Sequence, residues 1–235
     1  MSDTANPPNL ASAPLSGSGD FDARLKRTDE DRWLATRYAA ADARGRLIAL
    51  YLLNQELQRA LHAREAMLGK IRLQWWRETL AQLAGAAPLR RHDLTEELAR
   101  VLKDRADLLA PMNALVDAYD DVLDDHLQAG GHQPDGAHEA RHLAVEAALM
   151  RLAGLALVCD ADEAGLAALA EAGAARVALA AGLEGAAARW TAARAGLRKM
   201  PSALWPGVLH LAAAGVNTPF GKRWRMFRAA LSRNL

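Results

Sequence analysis

The sequence predicts an all-α domain, and three of its features support that prediction. Hydrophobic residues make up 51% of the 235 residues, and much of that fraction is alanine, which favours helices. Apolar positions recur near the helical period along most of the chain. No convincing strand pattern and no fixed-period repeat interrupts them. A chain of this length can bury a substantial core, so we expect one packed helical domain.

Glycine, proline and capping residues divide the chain into predicted helices. Asp93 or Thr95 is expected to N-cap one helix, and Pro111 to lie in the first turn of the next. Three glycines in an alanine-dense stretch are expected to mark close helix contacts or breaks: Gly173, Gly182 and Gly185. The predicted helices cover residues 31–61 (as a pair), 66–83, 93–109, 111–129, 139–156, 162–198 and a basic last helix at 219–235, with a loop at 130–136.

The first 20 residues are expected to form a disordered tail ahead of a helical domain at residues 21–235. The tail is rich in Ser, Pro, Asn, Ala and Gly and has no apolar run. It has neither the apolar segment of a signal peptide nor the arginines of a mitochondrial presequence. Charges interrupt every candidate membrane span before about 18 apolar residues. We therefore expect a cytoplasmic protein, with a peripheral position on the inner membrane as the open alternative.

Charge and cysteine usage exclude some classes of function. The formal net charge of +1 at pH 7 gives no global field that would attract nucleic acid, and no motif for reading nucleic acid is present. We therefore expect no nucleic-acid partner. Cys159 is the only cysteine, which excludes an internal disulfide, and we expect it to be a small buried apolar residue.

Three short segments carry a resemblance to a known family. They read Asp-Arg-Trp-Leu-Ala-Thr-Arg-Tyr from Asp31, Arg-Leu-Ile-Ala-Leu-Tyr-Leu-Leu-Asn-Gln-Glu-Leu from Arg46, and Ile-Arg-Leu-Gln-Trp-Trp-Arg-Glu-Thr-Leu from Ile71. Over about residues 31–83 the chain resembles the squalene/phytoene synthases. Its Asn-x-Glu-Leu variant after Tyr51 is most similar to the branch of that family that contains the mitochondrial complex I assembly factor and its bacterial relatives.

The resemblance implies an isoprenoid-synthase-like helical bundle around a central cavity. In the family's enzymes, two aspartate-rich motifs on facing helices hold Mg²⁺ ions, which grip the diphosphates of two prenyl substrates. Carboxylates at i and i+4 lie on one helix face, where they can share a metal ion. The resemblance therefore implies one aspartate pair shortly after Tyr51 and another in a late helix.

The first motif lacks its aspartates in this sequence. The matching positions hold Gln58 and Arg59, and His62 follows one turn later. Arg59 places a positive charge where the synthases bind Mg²⁺. We therefore expect no catalytic residue and no metal ligand among these three.

The second motif is also degenerate. We match it through Gly173-Ala-Ala and through Leu204-Trp-Pro, which places Glu184 and Ala188 at the two aspartate positions. Glu184 is the only carboxylate between residues 172 and 200. Since one carboxylate cannot build a two-metal site, we expect a pseudoenzyme with no cofactor.

A second acidic pattern leaves an enzymatic alternative open. Residues 117–125 spell the Asp-Asp-x-x-Asp signature of chain-elongating prenyl diphosphate synthases. Their place in the chain favours solvated or helix-packing acids over a cation site. If the protein is active, Arg46 and Arg59 are the candidate diphosphate contacts. The candidate Mg²⁺ ligands are then Asp117, Asp120, Asp121, Asp124 and Asp125.

Four histidines offer a weaker metal pattern. His138 and His142 are spaced i, i+4 on a predicted helix, and His126 and His132 lie nearby in the sequence. A transition-metal site is formally conceivable, but the spacing places no third ligand. We therefore interpret these residues as surface histidines.

Aromatic residues mark two candidate partner or pocket surfaces. Trp75 and Trp76 point about 100° apart on a helix, so we expect one in the core and the other at a groove or partner surface. Trp224 and Phe227 lie near one face of the last helix, among the basic residues of 222–233. That segment either contacts an anionic membrane or packs on the domain with its arginines solvated, and both interpretations stay open.

Two functions follow from these patterns. The first is a catalytically inactive synthase fold retained for binding or assembly, with an apolar or isoprenoid ligand or a protein as its partner. Respiratory complex I assembly is the form that the resemblance implies. The alternative is an active Mg²⁺-dependent head-to-head prenyltransferase acting on farnesyl or geranylgeranyl diphosphate. The loss of aspartates at two separate positions favours the first.

Overall fold

The computed structural model describes residues 18–85, 92–129 and 136–235, and within these ranges it contains helices and no strand. The predicted all-α fold is confirmed. Two short 3-10 helices, Ala106–Leu108 and Ser202–Gly207, precede α6 and α10 below. The α-helices are α1 (Ser18–Thr28), α2 (Glu30–Thr36), α3 (Ala41–Leu61), α4 (Ala66–Ala84), α5 (Asp93–Val101), α6 (Leu109–Ala129), α7 (Gly136–Leu157), α8 (Glu163–Ala181), α9 (Ala186–Leu197), α10 (Leu209–Ala213) and α11 (Pro219–Ser232).

Helix α3 lies at the centre of the fold because its middle turns are apolar on every side. Helices α1, α2, α4, α5, α6 and α7 all pack against it. Each packing face needs apolar side chains, so α3 lacks the single apolar stripe of a surface helix. The α3 side chains that are at most 1% exposed include Leu47, Leu50, Tyr51, Leu52, Leu53 and Leu57.

A second part of the core joins the C-terminal helices. It includes Leu169 of α8, Leu197 of α9, Trp205 before α10 and Met226 of α11, which are all buried. Helix α7 contributes to both parts, since Leu149 and its neighbour Met150 point into different clusters. The long helix α7 therefore connects the α3 bundle to the C-terminal half.

The N-terminal boundary differs from the prediction. Helix α1 begins at Ser18, inside the segment predicted to be disordered, and residues 1–17 lie outside the described part of the chain. Phe21 and Leu25 are the buried large apolar residues of α1, and two such residues do not define a helical period. The predicted loop at 130–136 also lies outside the described residues, except that Gly136 begins α7.

The start of α5 is capped by a residue that the sequence did not suggest. The His92 side chain accepts a hydrogen bond from the Leu94 backbone N–H at 3.2 Å, so the expectation of an Asp93 or Thr95 N-cap is wrong. The helix ends at Val101, earlier than predicted. Pro111 does lie in the first turn of α6, where its missing N–H costs no hydrogen bond.

The glycines divide as predicted into breaks and a close contact. Gly182 and Gly185 have φ angles of 70° and 72°, a left-handed conformation that glycine adopts without strain, and they end α8 and begin α9. A Cβ on Gly173 would lie 2.5 Å from Met150 Cγ, so this glycine allows α7 and α8 to pack closely.

The region around α8 overturns one expectation and holds one candidate membrane span. Cys159 is exposed in the turn between α7 and α8, where its chain neighbours are not core residues, so its predicted burial is wrong. Helix α8 is long and apolar enough to cross a membrane by length and composition, with a mean hydropathy of 1.4 over 18 residues. Its packing against α7 and α9 buries 44% of that window and accounts for its apolar composition.

Candidate functional site

The first motif positions lie on the exposed C-terminal end of α3. Gln58, Arg59 and His62 are all exposed. The guanidinium of Arg59 is held by Glu56, with Nη1 2.7 Å from both carboxylate oxygens. Glu56 is also paired with Arg24 of α1. This end of α3 therefore carries an ion-paired cluster in which arginines supply the positive charge.

The second motif positions do not share a helix face. Glu184 lies in the turn between Gly182 and Gly185, and Ala188 lies on α9. Both residues are exposed. Helix α8 packs extensively on α7 and α9, whereas α3 packs on the helices around it from α1 to α7. The two sets of motif positions therefore do not line one common site.

These side chains do not fit the Mg²⁺ site that the resemblance implies. Mg²⁺ takes hard oxygen ligands in near-octahedral geometry. Gln58 offers one neutral oxygen, Arg59 offers none, and Glu184 stands in a turn away from both. Across the described ranges, no group of three or more His, Cys, Asp or Glu side chains could hold a metal ion.

The two arginines proposed for a diphosphate are not brought together. Arg46 and Arg59 are both on α3, and 13 residues of helix separate their Cα atoms by about 20 Å. Arg46 Nε donates to the Ala156 carbonyl at 3.0 Å, and its Nη2 donates to Asp42 at 2.9 Å. Arg46 therefore links α3 to the end of α7.

The acids of residues 117–125 form part of the α4–α6 packing. Lys70 Nζ lies 2.6 Å from both Asp120 Oδ1 and Asp124 Oδ1. Arg77 Nη2 donates to Asp117 at 2.7 Å and to Asp120 at 2.9 Å. Two cations one heptad apart on α4 thus neutralise three acids at matching positions on α6.

The remaining two acids point elsewhere. Asp125 is ion-paired with Arg141 of α7, and Asp121 is exposed. Burial alone would raise the pKa of Asp120, but its hydrogen bonds from Lys70 and Arg77 lower that pKa below its ordinary value. The acids that resemble a metal-binding signature therefore bind side-chain cations of the same chain.

A surface groove with a volume of about 420 Å³ lies between α3, α4 and the start of α5. Trp76 is 4% exposed and belongs to the core, while Trp75 is partly exposed at the groove, so the expected division of the two rings is confirmed. The rings meet edge to face with centroids 4.8 Å apart, and His92 lies 5.6 Å from each. Ile71, Arg59 and Arg72 complete the walls.

A partly buried polar cluster, which sequence reasoning missed, lies between α2, α3, α7 and α10. Arg32 Nη2 donates to Glu146 at 2.6 Å, and its Nη1 donates to Asp29 at 3.0 Å. The Arg32 guanidinium carbon lies 5.5 Å from the centre of the Tyr51 ring. Burial alone would lower the pKa of Arg32, but the charges of Glu146 and Asp29 raise it above its ordinary value.

His210 completes this cluster from α10. It is 8% exposed, and among the described residues neither ring nitrogen has a hydrogen-bond partner. Burial, and then the positive charge of Arg32, lowers the pKa of His210 well below its ordinary value, so the ring is neutral at pH 7. No local sequence pattern predicts that Arg32 and His210 lie close together, because the two residues are 178 positions apart in the chain.

The histidine pattern near α6 and α7 is only partly described. The rings of His126 and His142 lie 6.1 Å apart. His132 and the side chain of His138 lie outside the described residues. The interpretation as surface histidines stays a prediction.

The comparison with known proteins supports the resemblance over part of the chain. Residues 25–128, from the end of α1 to the end of α6, match the family model of the squalene/phytoene synthases. That family has an all-α isoprenoid synthase fold, in agreement with the helices described here. No curated protein and no solved structure matches the chain significantly.

Proposed function

We propose that this protein is a non-catalytic squalene/phytoene synthase-like protein that acts in binding or assembly. The observation that carries the proposal is the ion-paired Arg59 beside Gln58, at the positions where the enzymes hold Mg²⁺ with aspartates. A guanidinium fixed by Glu56 repels a divalent cation and provides no oxygen ligand. Ionisation of a prenyl diphosphate has no metal support at this end of α3.

The acids of α6 support the same proposal. Lys70 and Arg77 already satisfy Asp117, Asp120 and Asp124. A Mg²⁺ ion at these carboxylates would have to displace both cations and break the contact between α4 and α6. The ion pairs of these acids hold α4 against α6. Their place in the sequence likewise favoured acids that serve in helix packing.

The groove at α3, α4 and α5 is the binding site in this proposal. Its volume of about 420 Å³ is within the range of small-molecule sites. Trp75 and Ile71 supply apolar walls, and Arg59 and Arg72 supply positive charge beside them. The groove therefore suits an apolar chain, such as an isoprenoid, with a polar or anionic end.

The outer face of α4 extends this surface towards a protein partner. Met67, Leu68 and Ile71 are 64%, 46% and 58% exposed. Large exposed apolar residues that lie next to each other are typical of interaction surfaces. The resemblance implies a specific role in the assembly of respiratory complex I at the inner membrane. We propose that role for this protein.

Pyrophosphate release tests the absence of catalysis. The purified protein is incubated with Mg²⁺ and either farnesyl or geranylgeranyl diphosphate, and a heat-denatured sample sets the background. We expect no release above that background. Turnover that disappears in Asp120→Asn but persists in Asp121→Asn would instead establish the prenyltransferase with the acids of α6 as its metal site.

Ligand binding tests the groove. Geranylgeraniol is titrated into the protein and followed by tryptophan fluorescence, with native mass spectrometry as an independent readout. Ile71→Ser should weaken binding about tenfold or more, because it removes an apolar wall. Leu127→Ser, at a similarly exposed leucine of α6, should not change it. Equal binding by the wild type and Ile71→Ser would contradict the groove as the site.

A further inference from the structure

Helix α11 carries an apolar stripe that faces away from the protein. The stripe consists of Phe220, Trp224, Phe227 and Leu231, whose spacing places all four on one helix face. Their exposed fractions are 78%, 51%, 46% and 70%. The opposite face holds Met226 and Ala229, which are buried against the domain. Packing on the domain therefore uses one side of α11 and leaves the more apolar side in solvent.

Arginines border the stripe on both sides. At about 100° per residue, Arg223 falls on one side of it, and Arg228 and Arg225 fall on the other. All three are exposed. Lys222 has a different role, because its Nζ lies 2.7 Å from Asp31 and 3.3 Å from Glu30, which fixes α11 to α2. The helix is thus held in place with its arginines available to a partner.

The charges of the chain are separated along the sequence. Residues 185–235 contain nine Lys and Arg and no Asp or Glu, whereas residues 1–184 contain 20 Lys and Arg and 28 Asp and Glu. The near-zero net charge conceals this separation. The charged residues of α11 are therefore all Lys or Arg, which favours an anionic partner surface.

A basic cavity opens beside the stripe. Arg194 of α9 joins Arg225 and Arg228 around a volume of about 320 Å³, with Ser232 and Asn234 at its edge. Arg194 Nη2 donates to Asn234 at 2.9 Å, while its buried Nε has no hydrogen-bond partner among the described residues. Three arginines line this cavity, and arginine is well suited to binding the oxygens of a phosphate group.

We propose that α11 lies in the plane of an anionic phospholipid membrane. The apolar stripe enters the boundary between headgroups and acyl chains, where tryptophan is a favoured residue. Arg223, Arg225 and Arg228 then lie at the level of the lipid phosphates, and the cavity with Arg194 receives a headgroup phosphate. This surface is independent of the groove on α4 and of whether the protein is an enzyme.

Vesicle sedimentation of the full chain tests the proposal. The vesicles contain phosphatidylcholine alone or phosphatidylcholine with phosphatidylglycerol. We expect binding to the anionic vesicles, weaker binding as salt is added, and little binding to phosphatidylcholine alone. Trp224→Ser/Phe227→Ser should reduce binding at least about tenfold, because it removes two inserted rings. Each of Arg223→Gln, Arg225→Gln and Arg228→Gln should reduce it about fivefold.

Matched variants identify the surface. Leu127→Ser/Leu179→Ser removes two apolar residues of α6 and α8 that are 46% and 37% exposed, and it should bind vesicles like the wild type. Circular dichroism verifies that each variant is folded. Absence of binding to anionic vesicles, or unchanged binding by Trp224→Ser/Phe227→Ser, would overturn the proposal. If the wild type were a dimer that does not bind vesicles, and Trp224→Ser/Phe227→Ser were a monomer, the stripe would instead be the contact with a second copy of the chain.

Discussion

Tyr119 donates a 2.9 Å hydrogen bond to the side-chain oxygen of Asn54, and the two residues are only 4% and 7% exposed. The bond joins α6 to the central helix α3. Tyr119→Phe removes the donor and leaves the Asn54 oxygen without that partner in the core. Because an unpaired buried polar group costs about 1–3 kcal/mol, the free energy of unfolding in urea should fall by that amount.

Tyr38 provides the control for this change. It is 41% exposed, so Tyr38→Phe removes the same hydroxyl from a solvated position. We expect that variant to remain within about 0.5 kcal/mol of the wild type. Equal stability of Tyr119→Phe and Tyr38→Phe would show that the hydrogen bond does not contribute to the stability of the fold.

The ion pair between Arg32 and Glu146 makes a second prediction about stability. Its atoms are 2.6 Å apart and each side chain is 17% exposed. Arg32→Met leaves Glu146 charged and poorly solvated, so we expect a loss of about 3 kcal/mol, at the lower end for a buried pair. The double variant Arg32→Met/Glu146→Leu should recover part of that loss, because it removes both charges.

A surface ion pair serves as the comparison. Arg151 and Glu163 lie 2.5 Å apart, but their side chains are 40% and 72% exposed. Arg151→Met should therefore cost at most about 1 kcal/mol in the same urea unfolding experiment. A cost as large as that of Arg32→Met would mean that burial does not decide the strength of these pairs.

The helices could be predicted because apolar periodicity and helix-breaking residues are local signals. Gly182 and Gly185 divide α8 from α9 through their own backbone conformation, and such a preference is readable from the residue type. The cap of α5 was mispredicted because Asp93 and Thr95 are common capping residue types, whereas the side chain that caps the helix is that of His92. Helix α1 was missed because it has only two large core residues, Phe21 and Leu25, and two residues do not define a helical period.

The candidate sites were predictable only in part, for the same reason. Residue types at Gln58 and Arg59 could be read directly against the family motif. The ion pairs of Asp120 with Lys70 and Arg77 depend on how α4 packs on α6, which no local pattern states. Likewise, the outward direction of the stripe on α11 depends on the packing of Met226 and Ala229 against the domain, which no local pattern states.

The acids of α6 give a prediction that separates helix packing from metal binding. Asp120→Asn weakens the contacts with both Lys70 and Arg77, so we expect a loss of roughly 1 kcal/mol in the free energy of unfolding. Asp121→Asn, at the exposed neighbour, should cost less than about 0.5 kcal/mol. Mg²⁺ should leave the Tm of the wild type unchanged, and a rise that Asp120→Asn abolishes would reveal a cation site.

The carboxylate of Asp120 makes the stability of the fold depend on pH in the acid range. Its pKa is lowered in the folded protein, so its contribution is present above the unfolded value of about 3.9 and is lost as the pH falls through the folded pKa. The acid limb of stability against pH should therefore be shallower in Asp120→Asn. Identical acid limbs in the variant and the wild type would contradict the lowered pKa.

His210 makes stability depend on pH in a milder range. Its pKa is far below the ordinary value in the folded protein, whereas in the unfolded chain it takes up a proton near pH 6.5. Below about pH 6.5 the unfolded chain therefore binds one more proton, and the free energy of unfolding decreases by up to about 1.4 kcal/mol per pH unit.

His210→Leu removes this pH dependence without removing a hydrogen bond among the described residues. Urea unfolding at pH 7 and at about pH 5 should show a smaller pH effect in His210→Leu than in the wild type. If the pH effect on the free energy of unfolding were as large in His210→Leu as in the wild type, the His210 ring of the wild type would have to bind a proton in the folded state. The assignment of a neutral, buried His210 beside Arg32 would then be wrong.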